Sequence, residues 1–351
     1  MPTRFTPRSW RSVPAVLITG VAALWLAGCS GFHPIYTPVG QIVTGYAERD
    51  ATPYVLQMDD VGMACAMGEA LDPLVFSFSR VTSEPNTTGT LLQVLAGICS
   101  EREAVEQELR YLRASYQDNN TEMRDARTQM QHKYAATASR RLKAFERGMK
   151  AYRFDPGAED LMCPSYRNDQ DELTFMMALL SGAQAVMDDA KSGGQAGVSR
   201  ALASQVERAA VCLKNDKWAG IPGNLRAIIW VLLPDNRPAS VDDPWKVMAM
   251  NRQTAINGGL RTAIALELVM AENVGNMEVA ADALAYLAEA ESRFEANPRY
   301  LMVDRGGMEV AMAVSDRIWT TRYGHRTPGN RFGRISKERE PREDIDTEGL
   351  L

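Results

Sequence analysis

The chain has 351 residues, with 39 Lys and Arg against 44 Asp and Glu, for a formal charge of −5. That acidic balance excludes a protein that neutralises a nucleic-acid backbone over a broad basic face. A hydrophobic content of 45% is enough for a globular core, and 18 methionines with few Val-Ile-Thr runs point to helices rather than strands.

Residues 1–12 carry Arg4, Arg8 and Arg11 and no acid, and residues 13–26 are almost wholly apolar. This is the basic-then-apolar layout of a secretory signal, and its apolar run is too short to span a bilayer, which needs about 20 residues. It ends in Leu26-Ala27-Gly28-Cys29, which resembles the lipobox of bacterial lipoproteins. Small residues before the cysteine suit an extended chain in a peptidase cleft, and the Cys29 thiolate is the group a diacylglyceryl chain would alkylate. Residues 1–28 are therefore expected to be a removed leader and Cys29 the lipid attachment. Losing three arginines moves the formal charge of the mature chain from −5 to −8. Ser30 and Gly31 follow with no Asp, which by similarity to known bacterial sorting implies the periplasmic side of the outer membrane.

Residues 29–58 contain Pro34, Pro38, Gly40 and Gly45 and show no strong period, so they read as a tether. An all-α domain is expected over 59–324. Met63, Met67, Leu71, Leu74 and Phe78 fall at helical steps, and Ser83-Glu-Pro-Asn86 breaks the pattern. Leu91, Leu95, Ile98, Val105, Leu109 and Leu112 predict a second helix with one buried stripe. Asn119, three residues before Glu122, marks the start of a third, which runs to the stop at Asp155-Pro-Gly157. Further helices are expected over 173–188, 198–213, 223–233, 244–272, 277–296 and 308–321, the long one carrying Gly258-Gly259 in its middle. The pattern predicts a helical-hairpin stack, tetratricopeptide-like or α-solenoid-like, with a continuous bundle as the competing arrangement. Residues 325–351 are charged and rich in Pro and Gly and read as a disordered tail.

Four cysteines remain beyond Cys29: Cys65, Cys99, Cys163 and Cys212. Export places them in an oxidising compartment, where an even number implies two disulfides, in any of three connectivities. The favoured pairs are Cys65–Cys99, on helices that a short turn makes neighbours, and Cys163–Cys212, tying a loop to a later helix end. Four buried free thiols are the alternative.

The sequence holds no histidine pair at metal spacing, no nucleophile elbow and no phosphate-binding loop, so neither metal nor cofactor is expected. Asp59-Asp60 and Asp242-Asp243 precede helix starts and read as caps, and Asp188-Asp189 stands near a helix end. His132 reads as solvated, and the Arg140, Arg141 and Arg147 cluster as an exposed face in preference to an anion site. Asn86-Thr-Thr88 reads as turn chemistry. Trp218, Trp230, Trp245, Trp319, Tyr286 and Tyr300 offer a ligand groove, but core is the commoner fate. An enzyme would need Glu172 or Asp216 brought together with His132, and nothing in their spacing implies that.

Several segments bear a family likeness. Leu71-Asp-Pro-Leu74, Ser83-Glu-Pro-Asn86 and Leu91-Leu92 with Leu95-Ala96-Gly97 resemble the start of the T-component family of TRAP transporters. Arg140-Arg141-Leu142, with Phe145-Glu-Arg147-Gly148 and Ala151-Tyr152, is similar to that family's Arg- and Tyr-containing segment, and Ala288-Glu-Ala290 with Phe294 to a late helix. The cysteines, the segment 154–244 and the charged tail depart from the pattern. The resemblance implies an all-helical periplasmic lipoprotein, compatible with a homo-oligomer, working beside a solute-binding protein and a TRAP-type permease; with no catalytic constellation in the sequence, a non-enzymatic role is expected. A general scaffold lipoprotein for outer-membrane or cell-wall assembly is the other expectation.

Overall fold

The computed structural model of the chain describes residues 33–336. The leader, Cys29 and residues 337–351 of the expected tail lie outside them. The fold is all-α, with no strand among the described residues.

Four helices form the first half. Helix α3 (Val61–Ser77) is followed by α4 (Asn86–Tyr116), α5 (Asn120–Ala151) and α6 (Asp169–Ser192). Their starts are fixed by side chains that accept from otherwise unpaired backbone N–H groups: Asp60 from Met63 N at 2.8 Å, Asn119 from Glu122 N at 3.2 Å and Asn168 from Asp171 N at 2.9 Å. Neighbours run antiparallel. Tyr134 of α5 meets Glu108 of α4 while Arg147 meets Gly89, and Arg141 meets Asp188 of α6. Close approach depends on Gly148 of α5, where an added Cβ would lie 2.3 Å from the Cβ of Ala178 on α6. The segment Val61–Arg80, α3 with the short turn that follows it, is apolar and long enough to cross a membrane by composition, but it is tied to its neighbours. Cys65 is joined to Cys99 of α4 across a Cα separation of 5.2 Å, and Asp72 pairs with Arg147 of α5.

Shorter helices complete the molecule: α7 (Ala201–Ala210), α8 (Ile221–Leu232), α9 (Pro244–Gly258), α10 (Thr262–Asn273), α11 (Met277–Ala290) and α12 (Leu301–Tyr323). Cys163, in the loop after α5, is joined to Cys212 just past α7. These are the two pairings favoured from the sequence. Helix α12 returns to the first half and packs on α4 as well as α10. The main apolar core extends from Leu56 to Ile318, with a smaller cluster of Val55, Val61, Ala64, Leu95 and Met302 beside it, and the buried Asp304 of α12 holds Arg261, at the start of α10, through bonds of 2.8 and 3.0 Å to one oxygen and 2.6 Å to the other.

Four expectations change. The single helix expected over 244–272 is two, because Gly259 has φ +69°, a left-handed conformation that ends α9 and that glycine adopts without cost. The expected tether is helical from residue 36. It comprises α1 (Tyr36–Tyr46), a π turn (Ala47–Ala51) and α2 (Thr52–Leu56). Pro38 and Pro53 sit in first turns, where the missing N–H costs nothing, and Val55 and Leu56 are buried. Residues 325–336 lie on the domain. Trp319 Nε1 donates to Arg334 O at 2.8 Å and Thr327 N to Asp316 at 3.0 Å. Asn86, expected in a turn, is the first residue of α4.

Candidate functional site

Between α4, α6, α10 and α12 lies a chamber of about 370 Å³, within the range of small-molecule sites. Its wall is aliphatic. Helix α4 supplies Leu91, Leu95 and Leu109, α6 Leu180, α10 Leu266, and α12 Val303 and Val310, while Val55 and Leu56 of α2 and Ile228 of α8 complete it. Six methionines join them: Met67, Met177, Met187, Met270, Met302 and Met312. Unbranched thioether side chains adapt to irregular shapes, so this wall suits an apolar ligand better than one fixed shape. No Trp, Tyr or Phe lines it, so the stacking platform that sugars and aromatic ligands favour is absent from this wall.

Gly306 of α12 sits on the wall with nothing within 4 Å of an added Cβ. Its neighbour Gly307 is tight, its added Cβ falling 2.8 Å from the Cα of Thr262 on α10. Helix α12 therefore uses one glycine to approach α10 and the other to widen the chamber.

Charged groups bound the polar side. Arg141 of α5, almost fully buried, reaches Glu101 of α4 and Asp188 of α6 together. Glu108 of α4 accepts from Tyr134 at 2.6 Å and from Lys191 at 3.3 Å, and lies 3.7 Å from Arg317, which also grips Glu272 of α10 at 2.8 and 2.9 Å. Burial pushes the Glu108 carboxyl up, but Arg317 and Lys191 outweigh it and hold the group below its ordinary value. Burial raises the Tyr134 phenol far above its ordinary value, reinforced by Glu108, so it stays a neutral donor. Burial pushes Asp188 up to about 6, against the pull of Arg141. Each cation on this wall is within ion-pair distance of a carboxylate: Arg102, Arg141, Lys191, Arg317 and Arg326. An anionic ligand would have to displace one of these acids, so the geometry favours an apolar or neutral-headed guest.

The arginine cluster is thus neither a solvated face nor an anion site. Arg140 bonds Glu69 and Ala96 O, Arg141 ties three helices, and Arg147 bonds Asp72 and Gly89 O with its guanidinium 3.7 Å from the centre of the Phe76 ring. Asp72 also accepts from Gln93 at 2.6 Å. Of the segments that carry the family likeness, those around Asp72, Ala96 and Arg140 to Arg147 are therefore joined by ion pairs and hydrogen bonds between helices.

Asp60 and Asp243 cap helices, and Asp189 accepts from Ala196 N at 2.8 Å and Val198 N at 2.9 Å in the turn after α6. Asp188 alone of these acids belongs to the chamber. Trp218, Trp230 and Trp319 are buried and Trp245, Tyr286 and Tyr300 half-buried; none lines the chamber. Trp230 donates to Glu207 at 3.0 Å and Trp218 packs on Tyr300 with ring centres 5.4 Å apart. The residues an enzyme would need stay apart. Glu172 is at the start of α6 and bonds Lys217, whereas His132 is exposed on α5 beside Gln131, which faces Gly193 at the other end of α6. That end is roughly 30 Å along the helix from Glu172. Among the described residues, no group of three or more His, Cys, Asp and Glu has metal-holding geometry.

Sequence reasoning missed the chamber. Leu91, Leu95, Val105 and Leu109 have the period of an ordinary buried stripe, and the signals available were the Gly306-Gly307 pair and the density of methionine. Compared with known proteins, the chain matches no family model, no curated protein and no solved structure.

Proposed function

We propose that this chain is a non-enzymatic envelope lipoprotein, anchored through Cys29 on the periplasmic side of the outer membrane, that holds a small apolar molecule between its helices. We further propose that it serves as an accessory component of a TRAP-type solute transport system, its protein partner a periplasmic solute-binding protein. The chamber between α4, α6, α10 and α12 carries the first part. An aliphatic concavity of about 370 Å³ is costly to hydrate, and a well-fitting apolar guest relieves that cost. Its aliphatic and methionine wall supports a guest of acyl or isoprenoid type, and its internally paired charges disfavour an anion. The transport role rests on the resemblance of the segments around Asp72, Leu91 and Arg147.

Two measurements test the two parts separately. Native mass spectrometry of the detergent-free protein is expected to show one added apolar molecule that organic extraction removes. A bare chain at its own mass, in preparations from several growth conditions, would refute ligand binding. Affinity capture from membranes is expected to recover a TRAP permease or solute-binding protein, and its absence would refute the transport assignment while leaving the chamber untouched.

A further inference from the structure

A helix on the surface of a water-soluble domain normally turns its aliphatic side inward and its charges outward. Helix α1 does the reverse. Its inward residues are small or polar: Thr37, whose hydroxyl donates to Val81 O at 2.9 Å, Gly40, where an added Cβ would lie 2.8 Å from the Phe78 ring, and the half-buried Thr44. On the opposite side, Ile35, Val39, Ile42 and Tyr46 recur at helical steps and are 64, 42, 70 and 61% exposed. Tyr36, 56% exposed, flanks this stripe, and Tyr54, 71% exposed, follows on α2. The stretch from Ser30 to Ala47 contains no Asp, Glu, Lys or Arg. Tight packing of the inward side on Phe78 leaves no route for the stripe to turn into the core.

Cys29 stands seven residues before Tyr36. Even fully extended, that link spans only about 25 Å. We propose that α1 lies in the lipid–water interface, with the Ile35, Val39, Ile42 and Tyr46 stripe among the headgroups and upper acyl chains, and so fixes how the domain sits on its membrane. An uncharged helix with aliphatic residues and tyrosines on its outer side matches that environment, where tyrosine gains from an apolar ring and a wet hydroxyl. A partner protein would meet the same stripe with no charge to guide it, whereas the short link brings lipid to it. This inference rests on the lipid-anchor reading of Cys29.

The test uses the mature chain purified from membranes and carrying Ile42→Cys, labelled with an environment-sensitive fluorophore. A Gln117→Cys chain is the control; Gln117 ends α4, a 31-residue helix about 46 Å long that starts near the α1 docking site. Both are placed in vesicles of phosphatidylethanolamine and phosphatidylglycerol doped with phosphatidylcholine spin-labelled high on its acyl chain. The label at residue 42 is expected to shift to the blue and be quenched at least fivefold more than the label at 117. Equal quenching at both sites overturns the proposal. So does a label at 42 already shielded before vesicles are added in a chain of doubled mass, which would assign the stripe to a second copy. The mass of the N-terminal peptide reports acylation of Cys29 independently. An unacylated peptide refutes the anchor, and unequal quenching would still place α1 at the interface.

Discussion

Replacing Gly306 with leucine separates the space beside α12 from its function, because the two effects have opposite signs. Gly306 lies inside α12 with an ordinary helical backbone, and nothing lies within 4 Å of an added Cβ. Removing glycine from a helix interior contributes about 1 kcal/mol. Burying a leucine side chain against the aliphatic wall contributes about 1–2 kcal/mol more, toward the lower end because the residue is only half-buried. The ligand-free variant is thus expected to be about 2–3 kcal/mol more stable than the parent chain in urea unfolding at equilibrium. The same side chain occupies space a guest needs, so affinity for an apolar guest falls by at least tenfold, read by native mass spectrometry or displacement of a fluorescent apolar probe. The neighbouring position is the internal control. Gly307→Ala forces a methyl group against Thr262 at 2.8 Å and is expected to cost about 1–3 kcal/mol. Loss of stability at 306 similar to that at 307 would refute the open space, and a more stable variant with unchanged affinity would refute the chamber as the binding site.

Other perturbations test the frame around it. Asp304→Ala strands the buried Arg261 with only the exposed Glu291 as partner, and urea unfolding is expected to show a loss of about 3 kcal/mol; a loss below about 1 kcal/mol would contradict this. For Asp188 the folded pKa of about 6 exceeds the ordinary 3.8, so the folded chain binds that proton more tightly. Its contribution is therefore greatest below the lower value and is lost as pH rises through the upper one. Asp188→Asn is expected to gain stability relative to the parent as pH rises between these limits, and a difference independent of pH would argue against it. The Cys65–Cys99 bridge closes a span of 34 residues, and its replacement by two serines is expected to cost about 4 kcal/mol, measured by thermal and urea unfolding; unchanged midpoints would count against a bridge that constrains the unfolded chain.

What was legible in the sequence was local. Asn119 and Glu122 announce the start of α5 because a cap and its helix are neighbours in the chain. Cys65 and Cys99 are pairable on paper because one turn separates their helices. Gly258-Gly259 misled because helical periodicity continues on both sides of the break, and only the left-handed backbone at Gly259 ends α9. Pro38 and Gly40 suggested a linker, yet each occupies a place where a helix tolerates or uses it. The arginines of α5 were opaque for another reason: their partners Glu69, Asp72, Glu101 and Asp188 come from α3, α4 and α6, and a charge on a helix looks solvated until those helices are in place. The chamber was the least legible feature. A leucine that faces a void has the same spacing as one that faces another leucine, and what distinguishes them is the neighbour that is missing.

The return of α12 to α4 has a consequence for biogenesis. The chamber's walls come from helices as early as α2 and as late as α12, the last described helix, so the hairpins of α3 to α6 can assemble while the cavity is still an open trough. Capture of a guest must await the arrival of Met302, Gly306 and Val310. On the proposed reading, a copy that ends before α12 would lack one wall of the site and would hold no guest.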